Sequence, residues 1–240
     1  METYLLVFVI CFAGSVIQGS ASFGFSLFVM SLLPMFMPLK SAAVLSALSA
    51  CIIGIWVCMT IRKHLKLKLI ILPVLSSLLI MPLGVYLLTV CNENLLKKVL
   101  GLIIILLSIM FLKSPAQKLS IRDSRINGIT FGAVSGLLSG MFNIGGPPLV
   151  IYYLNTVKEK MEYKAALEFS FMIAGGVTVI LHKAYGNIEP GVMKYTAVCI
   201  AAIISGTVLG MKVFIRLPQD VLKKSVYILM AVLGTILLIR

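Results

Sequence analysis

Residues 140–154 read GMFNIGGPPLVIYYL, an apolar stretch whose centre holds two glycines and two prolines. Proline lacks a backbone N–H and is tolerated mainly in the first turn of a helix. Glycine adopts backbone conformations that other residues avoid. The stretch therefore predicts that one helix ends near Asn143 and that a half-helix begins near Pro147. Such a break inside an apolar segment requires an explanation.

The rest of the chain has the composition of a membrane protein. Of its 240 residues, 60% are hydrophobic and 12% are charged, and the mean hydropathy is +1.09. A soluble domain has about 45–50% apolar residues. We predict an all-α polytopic membrane protein. The net charge of +13 sits in short loops, where it sets orientation and meets lipid headgroups, so no nucleic-acid partner is expected.

Six apolar segments are each long enough to cross a bilayer once, namely 42–61, 69–90, 95–112, 165–182, 192–214 and 221–239. Two further segments, 3–38 and 126–157, are too long for one crossing. A helix of the length of 3–38 would reach about 54 Å, against about 30 Å of hydrocarbon. Each of these two segments has a glycine-rich centre. We expect each to be a broken segment that either re-enters or crosses.

The two halves of the chain resemble each other in three matched landmarks. QGSASFGFSLFVMSLLP (18–34) parallels the stretch around GGPP, KSAAVLSALSA (40–50) parallels KAALEFSFMIA (164–174), and ENLLKKVLG (93–101) parallels QDVLKKSVY (219–227). The shared order predicts a duplicated unit of one broken segment plus three helices. The expected domains are an N-terminal repeat (1–112), a polar linker (113–125) and a C-terminal repeat (126–240).

Loop charge favours re-entrant segments. If both broken segments enter and return on one side, fifteen Lys and Arg residues lie on one face of the membrane and six on the other. If they cross, the counts are eleven and ten. The positive-inside rule then places loop 62–68 and the linker in the cytoplasm and both termini outside. Each repeat would cross an odd number of times, which makes the two repeats inverted. A broken but crossing segment remains the alternative.

Irregular backbone at membrane depth is tolerated where it is buried in protein or lines a wet cavity. A half-helix N-terminus there offers free N–H groups and partial positive charge. Two such ends would form a polar pocket without full cationic charge, which suits a small anion that binds and then leaves. The candidate substrate-binding residues are Gln18, Gly19, Ser20, Ser22, Gly24, Ser46, Asn143, Gly145, Gly146, Pro147 and Ser170.

The motifs GMFNIGGPPLVIYYL and QGSASFGFSLFVMSLLP resemble the paired motifs of the TauE/SafE sulfite-exporter-like family of membrane permeases. This resemblance covers essentially the whole chain. It implies transport of sulfite, organosulfonates or small carboxylates across the prokaryotic plasma membrane. Ser22-Phe23-Gly24-Phe25 differs from the double-glycine form common in the family. We therefore expect a secondary carrier for a small anion that works by alternating access, with an anion channel or a non-transporting assembly protein as alternatives.

Charged residues within the apolar segments give further candidates. Glu168 is a candidate for proton coupling, although an interfacial ion pair with Lys164 is an open alternative. His182 and Lys183 are expected to be interfacial anchors. A serine protease would need a GxSG-like turn facing a histidine, and GLLSG (136–140) has one residue too many. No enzymatic activity, cofactor or metal is therefore expected, and a homodimer is left open.

Overall fold

The computed structural model describes residues 2–113, 121–216, 228 and 231–239. These residues form nine α-helices and a further helical segment at 231–239. The helices are α1 (Glu2–Ala21), α2 (Phe25–Leu32), α3 (Leu39–Ile61), α4 (Leu67–Val90), α5 (Glu93–Lys113), α6 (Arg125–Phe142), α7 (Gly146–Thr156), α8 (Lys160–Ala184) and α9 (Pro190–Arg216). Short 3-10 turns follow α2 and α3.

Six of the described helices are long and apolar enough to cross a membrane. They are α1, α3, α4, α5, α8 and α9. Their outward faces carry large apolar side chains, such as Leu79 and Met59, which a lipid environment accommodates and water does not. The chain is therefore a multi-pass α-helical membrane protein, as predicted. The landmark 219–227, the linker residues 114–120 and much of the predicted span 221–239 lie outside the described residues.

Helices α4 and α6 pack in parallel along a line of small residues. A Cβ placed on Gly132 would overlap the backbone of Pro73, and one placed on Gly140 would overlap the backbone carbonyl of Met81. Contacts therefore advance in the same direction along both helices. Glycine at these positions lets the two backbones approach, as is common in membrane helix pairs.

Helices α1 and α9 also run parallel, because Tyr4 stacks on Tyr195 at 4.8 Å between ring centroids and Gly210 contacts the carbonyl of Val16 further along. Helices α3 and α8 instead run antiparallel. Gly54 packs against Met172, whereas Gly175, later in α8, packs against the earlier residue Ala47.

The helix pairings have the same form when the two halves of the chain are exchanged. The broken segment of the first half packs its long helix, α1, on α9, and that of the second half packs its long helix, α6, on α4. Helices α3 and α8 pair with each other at the centre, α3 also contacts α9, and α8 also contacts α4. Both breaks therefore lie beside the central α3–α8 pair.

Candidate functional site

The second break is made by Asn143, Ile144 and Gly145. Asn143 caps α6 in the left-handed conformation, with φ of 55°, and its N–H donates to the Ser139 carbonyl at 2.8 Å. The Ser135 hydroxyl donates to the Gly145 carbonyl at 2.7 Å. Helix α7 begins at Gly146 with prolines in its first turn, as the sequence predicts. The Asn143 N–H, the Ile144 N–H and the Gly145 carbonyl at this break are thus paired within the protein.

The first break runs from Ser22 to Gly24. Ser22 has φ of 68° and Gly24 has φ of 110°, so the chain reverses over three residues. The N–H of Ser22 still donates to the Gln18 carbonyl at 2.7 Å. Helix α2 then begins at Phe25. Positive φ is confined to Ser22, Gly24 and Asn143 at these two breaks, so Gly145 and Gly146 do not supply the unusual backbone that the sequence suggested.

Asn143 joins the two breaks. Its side-chain amide donates to the Ser26 hydroxyl at 3.1 Å and to the Ser46 hydroxyl at 3.0 Å. Ser26 lies in the first turn of α2, and Ser46 lies on α3. One amide group therefore connects the end of α6, the start of α2 and the central helix pair.

A cavity of about 30 Å³ lies where the breaks meet, enough for about two water molecules. It is lined by Gln18, Gly24, Ser26, Leu27, Ala50, Ser139, Asn143, Ile144, Gly145, Gly146, Phe171 and Ala174. The first turns of α2 and α7 both contribute to this lining, so two helix N-termini face the same space. Helix N-termini carry partial positive charge and attract anions.

The cavity brings together five of the residues proposed from the sequence, which are Gln18, Gly24, Asn143, Gly145 and Gly146. Ser46 and Ser170 do not line the cavity. The Ser46 hydroxyl accepts from the Asn143 amide, and the Ser170 hydroxyl lies 3.1 Å from the Tyr153 hydroxyl. The remaining four lie elsewhere. Gly19 packs on α9, the Ser20 hydroxyl bonds within α1, Ser22 faces Lys164, and Pro147 is buried beyond the lining.

Lys164 and Glu168 form a buried charged cluster rather than an interfacial pair. Their exposed fractions are 1% and 0%. The Lys164 ammonium donates to the Gly19 carbonyl at 3.0 Å, and Glu168 accepts from the Gln18 amide at 3.0 Å. The interfacial interpretation of this pair is therefore wrong. Because Lys164 is buried, it does not count as a loop charge. The face of the membrane that was assigned fifteen Lys and Arg residues therefore loses one of them.

His182 is likewise not an interfacial anchor. It is fully buried, and its Nδ1 lies 3.2 Å from the Asn187 amide nitrogen. Asn187 in turn donates to Thr89 at 2.8 Å, which ties the end of α8 to α4. Lys183 is exposed. Periodicity placed His182 at a segment end but could not tell which side of the helix faces protein.

Sequence reasoning missed seven residues of this lining, which are Ser26, Leu27, Ala50, Ser139, Ile144, Phe171 and Ala174. Ser26 lies in the first turn of α2, just after the first break. Because the N-terminus of this helix was expected to face the pocket, Ser26 could have been predicted. Phe171 lies beside Ser170 in the second matched landmark. Nothing in the sequence distinguished Ser139 and Ala50 from ordinary small packing residues.

The fold and this cavity define a polytopic membrane protein with a polar site between two broken helical segments. The sequence model of the family described as sulfite exporter TauE/SafE matches residues 6–237. The chain belongs to this family of membrane transporters. This identification agrees with the resemblance carried by the two break motifs.

One curated relative matches about half of this chain. A protein of Cupriavidus necator named probable sulfite/organosulfonate exporter TauE is 27% identical over 117 residues. The matched region is 49% of this chain and 45% of the relative, so the match spans less than half of that protein's length. No solved structure matches the chain.

Proposed function

We propose that the protein is a secondary carrier that moves a small sulfur-containing anion, sulfite or an organosulfonate, across the membrane. The observation that carries this proposal is the meeting of two helix N-termini, those of α2 and α7, at one cavity that is lined in part by polar side chains. N–H groups and dipoles attract an anion without the full charge that would hold it too tightly. The name of the Cupriavidus necator relative supports sulfite or an organosulfonate as the solute.

The proposed binding residues are those that can offer donors to an anion. Gln18 presents a side-chain amide, and Ser26 and Ser139 present hydroxyls beside the two helix starts. The Asn143 amide donates to the Ser26 oxygen and so orients that hydroxyl, whose O–H is left to donate to an anion. Gly146 leaves the first turn of α7 open to a close approach, because it has no side chain and only the Phe171 ring lies near the place of its missing Cβ. In this proposal Ser46, behind Asn143, orients its amide.

Alternating access by two inverted repeats is supported by the helix pairings. Equivalent helices α3 and α8 run antiparallel, and α1 on α9 mirrors α6 on α4. Because α1 runs in the same direction as α9, and α9 runs opposite to α8, α1 and α3 point the same way. The broken segment formed by α1 and α2 then enters and leaves the membrane on one face, and α3 starts from that face. This is the re-entrant arrangement. The units 1–112 and 126–240 would move against each other around the cavity.

The same arrangement gives the proposed placement in the cell. Basic loops near 62–68 and 113–125 would lie in the cytoplasm of a prokaryotic cell, with both termini outside its plasma membrane. Anionic lipid headgroups are the expected partners of these loops. A homodimer is compatible with this arrangement.

The proposal is tested by anion-induced thermal stabilisation of the purified protein. A ligand that binds the folded state at 100 times its Kd stabilises it by about 2.7 kcal/mol. We expect sulfite or a sulfonate such as methanesulfonate to raise the melting temperature, and chloride at equal ionic strength to leave it unchanged. The responding anion should then enter proteoliposomes with slow, saturable kinetics.

A matched pair of variants locates the site. Gly146→Leu fills the mouth of α7 and should abolish the anion response, whereas Gly191→Leu, in the first turn of α9, should keep it because Gly191 has open space around it. An anion response that survives in Gly146→Leu would place the site elsewhere. Bursts of ion current in single-protein recordings would contradict a carrier and favour a channel.

A further inference from the structure

Glu168 occupies an unusual position in the middle of the helix bundle. It is fully buried on α8, and its Oε2 accepts from the Gln18 amide at 3.0 Å. Its Oε1 has no hydrogen-bond donor among the described residues. A buried carboxylate oxygen without a donor is costly, and a proton on the carboxyl group would remove the charge that makes it so.

Gln18 connects this carboxyl group to the cavity. Its side chain lines the cavity and at the same time donates its amide N–H to Glu168. A glutamine amide has a donor end and an acceptor end. While Glu168 is ionised, the donor end is held by the carboxylate, so fewer N–H groups are available for an anion in the cavity.

We propose that Glu168 binds the proton that is transported with the anion, and that Gln18 transmits this protonation to the anion site. A proton from solvent converts the Glu168 carboxylate into a carboxylic acid, whose O–H can donate to the Gln18 oxygen. The Gln18 amide then turns over, and its N–H groups point into the cavity. This inference rests on the proposed function, because it names the ion coupled at the same site.

The charge of the cluster supports this coupling. Lys164 lies one helical turn before Glu168 and donates to the Gly19 carbonyl at 3.0 Å and the Ser22 hydroxyl at 3.4 Å. With Glu168 ionised, these two residues have no net charge, and an added anion would leave a buried negative charge. With Glu168 protonated, the Lys164 charge is balanced by the anion. Proton and anion binding therefore favour each other.

The groups around Lys164 and Glu168 come from four elements, which are α8, the first broken segment, α3 and α7. Lys164 lies on the same helix, with Lys160 one turn beyond it, and Gln18 and Ser22 belong to the first broken segment. On α3, the Cys58 thiol lies near enough to Glu168 to interact with its charge. On α7, the Tyr153 hydroxyl is engaged with Ser170. Glu168 is the one carboxyl group in this set.

The test measures the Kd of sulfite and, separately, of methanesulfonate, from mildly acidic to mildly alkaline pH. In the wild type, Kd should rise by up to about tenfold per pH unit once Glu168 ionises, as expected for one linked proton. Glu168→Gln, which imitates the protonated acid, should bind with a Kd that changes much less. Each comparison uses the same probe, so ionisation of the probe itself cancels.

Two further variants separate coupling from loss of structure. Gln18→Met keeps the side-chain length but has no amide, and it should weaken binding and flatten the pH dependence although Glu168 is present. Glu162→Gln, earlier on the same helix and paired with Lys66, should keep the wild-type pH dependence. A pH indicator in weak buffer should show about one proton taken up per anion bound in the wild type and almost none in Glu168→Gln.

The outcomes distinguish the two proposals. If wild type and Glu168→Gln show the same pH dependence and the same proton uptake, Glu168 is not the coupling residue, and anion transport stands without it. If neither probe binds the wild type at any pH, the proposed function fails, and the coupling fails with it. If Glu168→Gln does not fold, an unchanged pH dependence in Gln18→Met overturns the transmission through Gln18, which the proposal requires.

Discussion

Two non-glycine residues with positive φ mark the two breaks. Ser22 and Asn143 have φ of 68° and 55°, a conformation that costs roughly 1–2 kcal/mol for most residues and less for asparagine. Both are held there by burial and by hydrogen bonds to neighbouring segments. Strained backbone of this kind concentrates at functional sites.

Asn143→Gly tests the side-chain amide alone, because glycine keeps the left-handed backbone and removes only the side chain. The variant loses the bond that orients the Ser26 hydroxyl toward an anion. Hydrogen bonds to charged groups contribute about 1.5–3 kcal/mol, so we expect the anion Kd to rise by about 10- to 100-fold. Melting of the anion-free protein should change little, since the Ser26 and Ser46 hydroxyls gain access to the cavity. Anion binding equal to the wild type would remove Asn143 from the site.

The neighbouring glycines of the break should respond differently to alanine. A Cβ on Gly145 would overlap the Ser139 hydroxyl and lie 2.5 Å from the Ser135 carbonyl, whereas one on Gly146 would meet only the Phe171 ring at 3.4 Å. Overpacking typically costs 1–3 kcal/mol. Gly145→Ala should therefore lower the apparent melting temperature in detergent, and Gly146→Ala should not. Equal melting of the two variants would contradict the geometry of the break.

At the scale of helices, the contact of α4 with α6 depends on glycines. A Cβ at any of Gly84, Gly132, Gly136 or Gly140 would overlap the backbone of the facing helix. Larger side chains at these positions would push the two backbones apart and leave gaps between the small residues around them. Dispersion contacts, which drive helix association in lipid, fall off steeply with such a separation.

Gly136→Ala should consequently destabilise the protein, because its Cβ would overlap the Ser77 carbonyl. Gly191→Ala is the control, since nothing lies within 4 Å of the added Cβ. We expect a lower melting temperature for Gly136→Ala and wild-type behaviour, or a slight gain from helix propensity, for Gly191→Ala. A wild-type melting temperature for Gly136→Ala would show that α4 and α6 can separate without cost.

At the scale of the whole molecule, the direction of each helix decides the topology. The re-entrant arrangement places the turn at Arg62–His64 and the end of α8 on opposite faces of the membrane. The crossing arrangement places them on the same face. The two arrangements differ at residues that are exposed, including Lys63 and Ala184, so a labelling experiment can separate them.

Lys63→Cys and Ala184→Cys, each in a cysteine-free parent, should react with an impermeant thiol reagent from opposite sides of the membrane. We expect Ala184→Cys to react in intact cells and Lys63→Cys only after the membrane is permeabilised. The reaction of both after permeabilisation serves as the control for accessibility. Labelling of both positions in intact cells, or of neither, would contradict the re-entrant arrangement.

Local sequence was enough to locate the breaks. Proline and glycine restrict or release the backbone of their own residues, so GGPP after Asn143 predicted the start of α7 to within a residue. Composition and the length of the apolar runs likewise predicted a multi-pass helical protein, because both depend on the solvent around the helix rather than on its neighbours.

Tertiary structure alone decided which residues share the cavity. Helical periodicity gives the face of a helix but not its partner, and in lipid most faces are apolar, so Ser26 and Phe171 were not distinguished from packing residues. The burial of Lys164 and His182 was missed for the same reason, and that of Glu168 was left open. A charge near a segment end can reach the interface or turn into the bundle, and only the packing of α8 against the first broken segment selects the second of these.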